Sequence, residues 1–230
     1  MWDWVYPRTC VGCERPMAGE EPGRHLCWDC RALASFIQPP FCERCGDPVA
    51  GRVDHAFTCA LCAQRPTAFD GARSVVRYDG VLGEAIRRLK YHRAVWIVDD
   101  LAELLEAGVR THYADLEFDV VTWVPLHFSR ARERGFNQAA ELARQLAMRL
   151  GCRAASTLLR VRPTQSQTRL TIPERVANVR HAFRAWRHGK GRTALLVDDV
   201  MTTGATVHAC AAALKQADWA QVWVITVARG

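Results

Sequence analysis

Eight cysteines fall into four CxxC pairs, Cys10-Val-Gly-Cys13, Cys27-Trp-Asp-Cys30, Cys42-Glu-Arg-Cys45 and Cys59-Ala-Leu-Cys62, and nothing else in the sequence restricts the fold as tightly. Each cysteine of the first two pairs recurs 32 positions later, and Pro16 recurs as Pro48, so the segment is an internal duplication. A CxxC turn aims two thiolates at one metal, and two such turns complete a tetrahedral Zn(II) shell. Thirteen residues separate the pairs in both copies, a spacing that suits a zinc-ribbon hairpin. A redox CxxC normally stands singly beside a βαβ pattern, which does not surround these pairs. The segment has few large aliphatics and depends on metal to fold. Two pairings satisfy the spacing: sequential (Cys10, Cys13, Cys27 and Cys30, then Cys42, Cys45, Cys59 and Cys62) or interleaved. The tandem repeat favours the first, because each copy then closes by itself.

Beyond residue 63 no CxxC occurs, and Gln64-Arg-Pro-Thr-Ala68 reads as a linker, which divides the chain into a zinc module over 1–65 and a second domain over 66–230. The lone Cys152 and Cys210 read as core thiols on helical stretches. No run of eighteen uncharged apolar residues exists, and the opening MWDWVYPRTCVGC lacks a basic segment followed by an apolar one. These features predict a cytoplasmic protein with no membrane insertion, where thiols stay reduced for metal. The formal charge is +7, and two filled Zn(Cys)4 sites, each contributing −2, lower it to about +3. Its distribution says more than the sum. Between Cys152 and Arg192 the only acid is Glu174, among ten Lys and Arg residues, a bias that suits a polyanion.

The second domain alternates period-2 and period-3.6 segments. Strands are expected over 73–78, 118–126, 193–197 and 220–228, and helices over 81–91, 96–113, 136–150 and 204–216. Strands that are apolar along their length and alternate with helices predict an α/β parallel sheet covered on both faces, with ligands at the strand carboxyl ends. At one such end stands Ala194-Leu-Leu-Val-Asp-Asp-Val-Met-Thr-Thr-Gly-Ala-Thr206. Asp198 and Asp199, expected to terminate the strand, can accept from sugar hydroxyls or hold Mg(II). The hydroxyls and amides of Thr202, Thr203, Gly204, Ala205 and Thr206 at a helix N-terminus form a phosphate cradle.

That junction resembles the phosphoribosyl pyrophosphate (PRPP) signature of type I phosphoribosyltransferases. The resemblance implies that the two acids contact ribose and that residues 202–206 bind the 5'-phosphate. Further motifs, Leu89-Lys-Tyr91, Val124-Pro-Leu-His127, Arg134-Gly-Phe-Asn-Gln138, Arg162-Pro-Thr-Gln-Ser-Gln-Thr-Arg-Leu170, then Arg175, Asn178 and Phe183, look like the ComF family. That family joins a zinc ribbon to a phosphoribosyltransferase domain and is associated with DNA uptake and natural transformation. The eight duplicated cysteines exceed the single four-cysteine site of its shorter members.

PRPP also demands a metal and cations over its departing diphosphate. The loop after the 118–126 strand is placed for that role, with Pro125, Leu126, His127, Arg130, Arg132, Arg134 and Asn137 as its candidates, Arg134 joining the two acids as catalytic. His127 and Asn137 read equally as structural groups, the latter as a helix cap. The polar stretch 160–180, flanked by Pro163 and Pro173 and expected between helical elements, reads as a flap over PRPP, with Arg162, Thr164, Gln167, Arg175 and Asn178 as its candidates. Two functions follow: Mg-dependent transfer of a phosphoribosyl group to a nitrogenous acceptor, or non-catalytic sensing of PRPP or a nucleotide by a competence accessory protein. Single-stranded DNA, through the basic block and the aromatics Trp2, Trp4, Tyr6, Trp28 and Phe57, and other DNA-uptake proteins are the further partners implied.

Overall fold

A computed structural model describes residues 8–17, 24–51, 53, 55–162, 174, 178–179 and 181–230. Thr164, Gln167 and Arg175 of the expected flap, and Trp2, Trp4 and Tyr6, lie outside them. The two ribbons carry the same hydrogen bonds at an offset of 32. Cys10 N–H donates to Arg15 O (2.9 Å) and Val11 N–H to His25 O (2.8 Å), as Cys42 donates to Asp47 (2.8 Å) and Glu43 to Phe57 (2.9 Å). Each copy ends in one turn of helix, α1 (Trp28–Ala32) and α2 (Ala60–Gln64), whose first residues follow a cysteine. The residue that follows the first CxxC of each copy takes left-handed backbone, Glu14 (φ 60°) and Gly46 (φ 67°). At Gly46 a side chain would also meet Ala72 O at 2.7 Å, because the second ribbon lies against the sheet.

The sheet comprises β1 (Gly71–Arg77), β2 (Val120–Trp123), β5 (Thr193–Met201) and β6 (Gln221–Arg229), all parallel, in the order β1-β6-β5-β2. Along β5 and β6 successive residues face opposite sides, as the two-residue period requires. Leu195, Val197, Ile225 and Val227 meet helices α3 (Gly80–His92), α4 (Val98–His112) and α6 (Gln138–Leu150). Ala194, Leu196, Val222 and Val224 meet α7 (Ala205–Gln216) and the antiparallel pair β3 (Leu158–Arg160) and β4 (Phe183–Ala185). The seven-residue α5 (Phe128–Arg134) connects β2 to α6.

Both sheet edges are covered, which removes free strand edges as pairing templates. Ile37 N–H donates to Val75 O and Arg77 N–H to Ser35 O, both at 2.9 Å, so the linker between ribbons runs along β1. On the far edge Val121 donates to Arg153 O (2.9 Å) and Ala155 to Val121 O (3.0 Å). The ribbons reach further into the second domain. Arg31 lies 2.8 Å from Glu103 on α4, and His25 N–H donates to Asp100 (2.9 Å). At the end of β6, buried Arg229 donates to Cys45 O (3.1 Å) and pairs with Asp47 at 2.9 Å.

Several boundaries differ from the sequence reading. β5 runs through both aspartates to Met201, because β6 continues beside it to Arg229 and pairing outweighs the poor strand propensity of Asp. β2 is shorter than expected, since Pro125 has no N–H to extend the ladder. Residues 128–134 form a helix rather than a loop, and 95–97 a 3-10 turn ahead of α4. The stretch 160–180 begins and ends at paired strands β3 and β4, not helices. Cys152 follows the α6 cap Gly151 instead of lying within a helix.

Because the ribbons supply one edge of the sheet and part of its core, metal removal acts on the whole chain. Chelation of zinc is expected to lower the melting temperature of the α/β core along with the ribbons, read by near-ultraviolet circular dichroism of Trp219 and Trp223. A core transition unmoved by chelation would contradict this coupling.

Candidate functional site

Two four-sulfur groups occur among the described residues: Cys10, Cys13, Cys27 and Cys30, and Cys42, Cys45, Cys59 and Cys62. In each, the ligand atoms lie within 4.8 Å of one another, so the pairing is sequential. A tetrahedron with Zn–S of about 2.3 Å places its sulfurs about 3.8 Å apart. Cys13 and Cys27 sulfurs are 3.8 Å apart, and those of Cys45 and Cys59 are 3.7 Å apart. The residues fit zinc. The surroundings also prepare thiolates: hydrogen bonds from the Arg15 amide and side chain bring Cys13 down to about 6. At Cys42, burial works against ionisation, but the amides of Cys45, Cys59 and Arg44 outweigh it and leave the thiol at about 7. Burial raises Cys30 and Cys62, so a cation is needed before all four sulfurs of either site ionise together.

The second candidate lies at the carboxyl edge of the sheet, in a cleft of about 690 Å³. Each strand delivers its share: Tyr78 follows β1, Val124 and Leu126 follow β2, Asp198, Asp199 and Val200 belong to β5, and Gly230 follows β6. Thr202 and Thr206 close it on the α7 side. Asp198 and Asp199 are adjacent on a strand and so depart to opposite faces. Asp199 turns toward α3, where its Oδ1 meets Lys90 Nζ at 3.2 Å, both side chains being largely buried. Its Oδ2 is buried and has no partner among the described residues. Asp198 faces the field of Arg160 and lies near enough to Cys210 to influence it. Burial, and next the charge of Asp199, push the Asp198 carboxyl up to about 8. Burial opposes the charge on Lys90, but Asp199, Asp198 and Tyr78 outweigh it and raise its pKa.

Around the acids stand Lys90, Arg93, Arg130, Arg134 and Arg160, so cations outnumber carboxylates in the cleft wall. Arg134 stacks over Tyr91 at 5.4 Å. Burial, then repulsion from Arg130, lowers the pKa of Arg160, while Asp198 acts in the opposite direction. Between β5 and α7, Gly204 adopts φ 74° and gives the helix no side-chain cap, so the positive end of the helix faces the loop 202–206.

Other candidates from the 125–137 segment occupy structural positions. His127 caps α5, its Nδ1 accepting from Ser129 N–H at 3.3 Å. Asn137 caps α6 by accepting from Ala139 (3.0 Å) and Ala140 (3.4 Å), and donates to Val124 O (3.1 Å). Pro125 ends β2, and Arg132 is exposed outside the cleft wall, while Leu126, Arg130 and Arg134 line it. Of the flap candidates, Arg162 is exposed and Asn178 half-buried. Tyr78, Arg93 and Glu133 of the wall carried no signal in the sequence, while Lys90 and Gln138 were quoted only within motifs; the buried Oε1 of Gln138 has no partner among the described residues.

A double zinc ribbon domain model matches residues 1–64, and a phosphoribosyl transferase domain model matches residues 132–230. The DNA utilization protein YhgH of Salmonella typhimurium is 34% identical over 226 residues, 95% of this chain and 96% of that protein. Competence protein F of Haemophilus influenzae is 30% identical over 225 residues, 93% of this chain and 94% of that protein. Competence protein ComFC of Bacillus subtilis is 28% identical over 202 residues, 85% and 80% of the two chains.

Two outcomes follow from this geometry. Lys90→Met strands the buried Asp199 charge and is expected to cost roughly 3 kcal/mol in urea unfolding, with part regained in the Lys90→Met, Asp199→Asn double variant. The Asp198 carboxyl binds its proton more tightly folded than unfolded. Stability from this group is therefore full below pH 4 and declines as pH rises towards about 8. Asp198→Asn abolishes that decline, which urea unfolding from pH 4 to pH 8 measures.

Proposed function

The chain belongs to the ComF family of double-zinc-ribbon, phosphoribosyl-transferase-domain proteins, and on that premise we propose that the cleft binds PRPP with Mg(II) and transfers its phosphoribosyl group to a nitrogenous acceptor. One observation carries the reading. The unpartnered Asp199 oxygen, the Asp198 carboxyl, and Thr202 and Thr206 at the two ends of the loop before α7 converge on one cavity, an arrangement that suits a sugar between a hydroxyl-binding pair and a phosphate cradle. Asp198 and Asp199 take the ribose hydroxyls, and Thr202, Thr203, Gly204, Ala205 and Thr206 the 5'-phosphate. Arg130 and Arg134 take the diphosphate, with Lys90 holding Asp199 in place and adding positive charge. Mg(II), a hard cation that prefers oxygen, fits the carboxylate pair and phosphate oxygens, and its role is to offset charge on the diphosphate as it departs. Arg162, Thr164, Gln167, Arg175 and Asn178 belong to a flap that excludes water. Zinc is structural and the protein works in the reducing cytoplasm; the names of two relatives, a DNA utilization protein and a competence protein, support a role in the handling of DNA.

A second reading, PRPP or nucleotide sensing without turnover by a protein that holds single-stranded DNA or another uptake protein, draws on one feature. Trp28 is 60% exposed, with the guanidinium groups of Arg24 and Arg31 at 5.0 and 5.6 Å from its ring. An exposed indole flanked by cations suits base stacking. No described helix is long and apolar enough to cross a membrane.

Calorimetry with Mg·PRPP is expected to register binding by the wild type and at least a hundredfold weaker binding by Asp198→Asn, with circular dichroism unchanged. Binding should also release a proton at pH 7, because a cation beside Asp198 displaces the proton its raised pKa retains. Pyrophosphate release with a panel of bases and amines separates transferase from sensor. An Asp198→Asn variant that keeps wild-type affinity would remove the ribose assignment. Salt-dependent oligonucleotide binding, lost in Trp28→Ala, would favour the second reading.

A further inference from the structure

A second cavity, of about 350 Å³, lies on the opposite side of the 202–206 loop from the acidic cleft. It is enclosed by Leu61 of α2 in the second ribbon, Pro66 of the linker and Phe69 just after it, Val179 and His181 ahead of β4, Phe183 of β4, and the face of α7 carrying Ala209 and Ala212. It exists because that face presents alanines where larger residues would have filled the gap between helix and ribbon. The volume is in the range of small-molecule sites, and the walls are predominantly apolar with flat surfaces in Pro66, Phe69 and Phe183. The loop divides this cavity from the cleft. Thr202 and Thr206 line the cleft, Thr203, Gly204 and Ala205 line the cavity, and no described residue lines both.

A few polar groups enter the apolar walls. His208 Nδ1 accepts from Ala68 N–H at 3.1 Å, which places the proton of the neutral ring on Nε2. Burial keeps that ring neutral by lowering its pKa. Nε2 has no hydrogen-bond partner among the described residues, and Thr203 and Gln216 add a hydroxyl and an amide. Among the described residues no carboxylate lines the cavity, and Arg65 is the only Lys or Arg that does.

We propose that this cavity is a second ligand site, separate from the PRPP cleft, that takes a neutral planar heterocycle of nucleobase size, its ring against Phe69, Phe183 and the α7 alanines and a ring nitrogen or carbonyl accepting from His208. It is an effector site rather than the acceptor subsite, because the loop stands between it and the acids. A ligand there touches Thr203, Gly204 and Ala205 directly and stiffens the loop that the cleft uses from its other side. It also rests against Cys45 and Cys62, so its walls depend on the second zinc site.

The test titrates the full-length, zinc-loaded chain with adenine and hypoxanthine, using saturation-transfer NMR and calorimetry. Expected are a micromolar to millimolar dissociation constant for at least one base, retained under saturating Mg·PRPP, and a loss of at least tenfold in both Ala209→Leu and Ala212→Leu, which fill the cavity. Mg·PRPP binding by those variants, and their zinc content, should match wild type. No binding of either base at 5 mM, equal binding by wild type and both leucine variants, or displacement of the base by Mg·PRPP would each overturn the proposal. The PRPP arm rests on the reading of the preceding subsection. If the wild type fails to bind Mg·PRPP, that reading falls, while the base titration and the leucine variants still judge the cavity.

Discussion

Four thiolates held within a few ångströms repel one another unless a divalent cation stands among them, and that requirement governs how this chain folds. The eight sulfurs gather into two groups of four, each within 4.8 Å, a closeness that zinc's tetrahedral shell suits. Each ribbon is too short and too poor in aliphatics to order its loops otherwise. Once ordered, the ribbons complete the α/β domain. Their linker hydrogen-bonds along β1, Arg31 engages α4, and Arg229 at the end of β6 binds the Cys45 carbonyl and Asp47. Leu26, Cys10 and Cys30 belong to the same buried cluster as α3 and α4.

The cleft carries an electrostatic conflict that the fold does not resolve internally. Two adjacent carboxylates sit at the buried end of a central strand, and Lys90 satisfies one oxygen of Asp199 while the other has no partner among the described residues. Asp198 answers burial and its neighbour by holding its proton. Across the cleft, Arg130 depresses the pKa of Arg160 after burial has done so. A buried carboxylate oxygen without a partner among the described residues, beside gathered guanidinium groups, is costly to the fold and suits a ligand that brings anionic phosphates, hydroxyls and a cation together.

Much of the cleft was legible because its residues are neighbours in sequence. Asp198, Asp199 and the 202–206 loop form one continuous junction, and a strand followed by a helix places them at a sheet's carboxyl edge without further information. Arg130 and Arg134 were legible for the same reason, one strand away. Lys90 was not, since a lysine on an amphipathic helix looks like a solvated residue until α3 is packed against β5. His127 and Asn137 show the converse. Polar residues beside a motif read both as ligand contacts and as structural groups, and here their side chains accept the first amides of α5 and α6, a choice set by helix starts that periodicity locates only to within a few residues.

The sequence by itself determined the zinc ligands and their duplication, the alternation of strands and helices, and the acidic and hydroxyl-bearing residues at the end of β5, because spacing and residue chemistry are local properties. Tertiary structure alone decided that the ribbons pair their cysteines sequentially, that β5 continues through its aspartates beside β6, that Lys90 neutralises Asp199, and that a second cavity opens between α7, β4 and the second ribbon. Each of these depends on groups far apart in the chain meeting at a set distance, and Coulomb attraction, strand pairing and excluded volume act on distance in space rather than on separation in sequence.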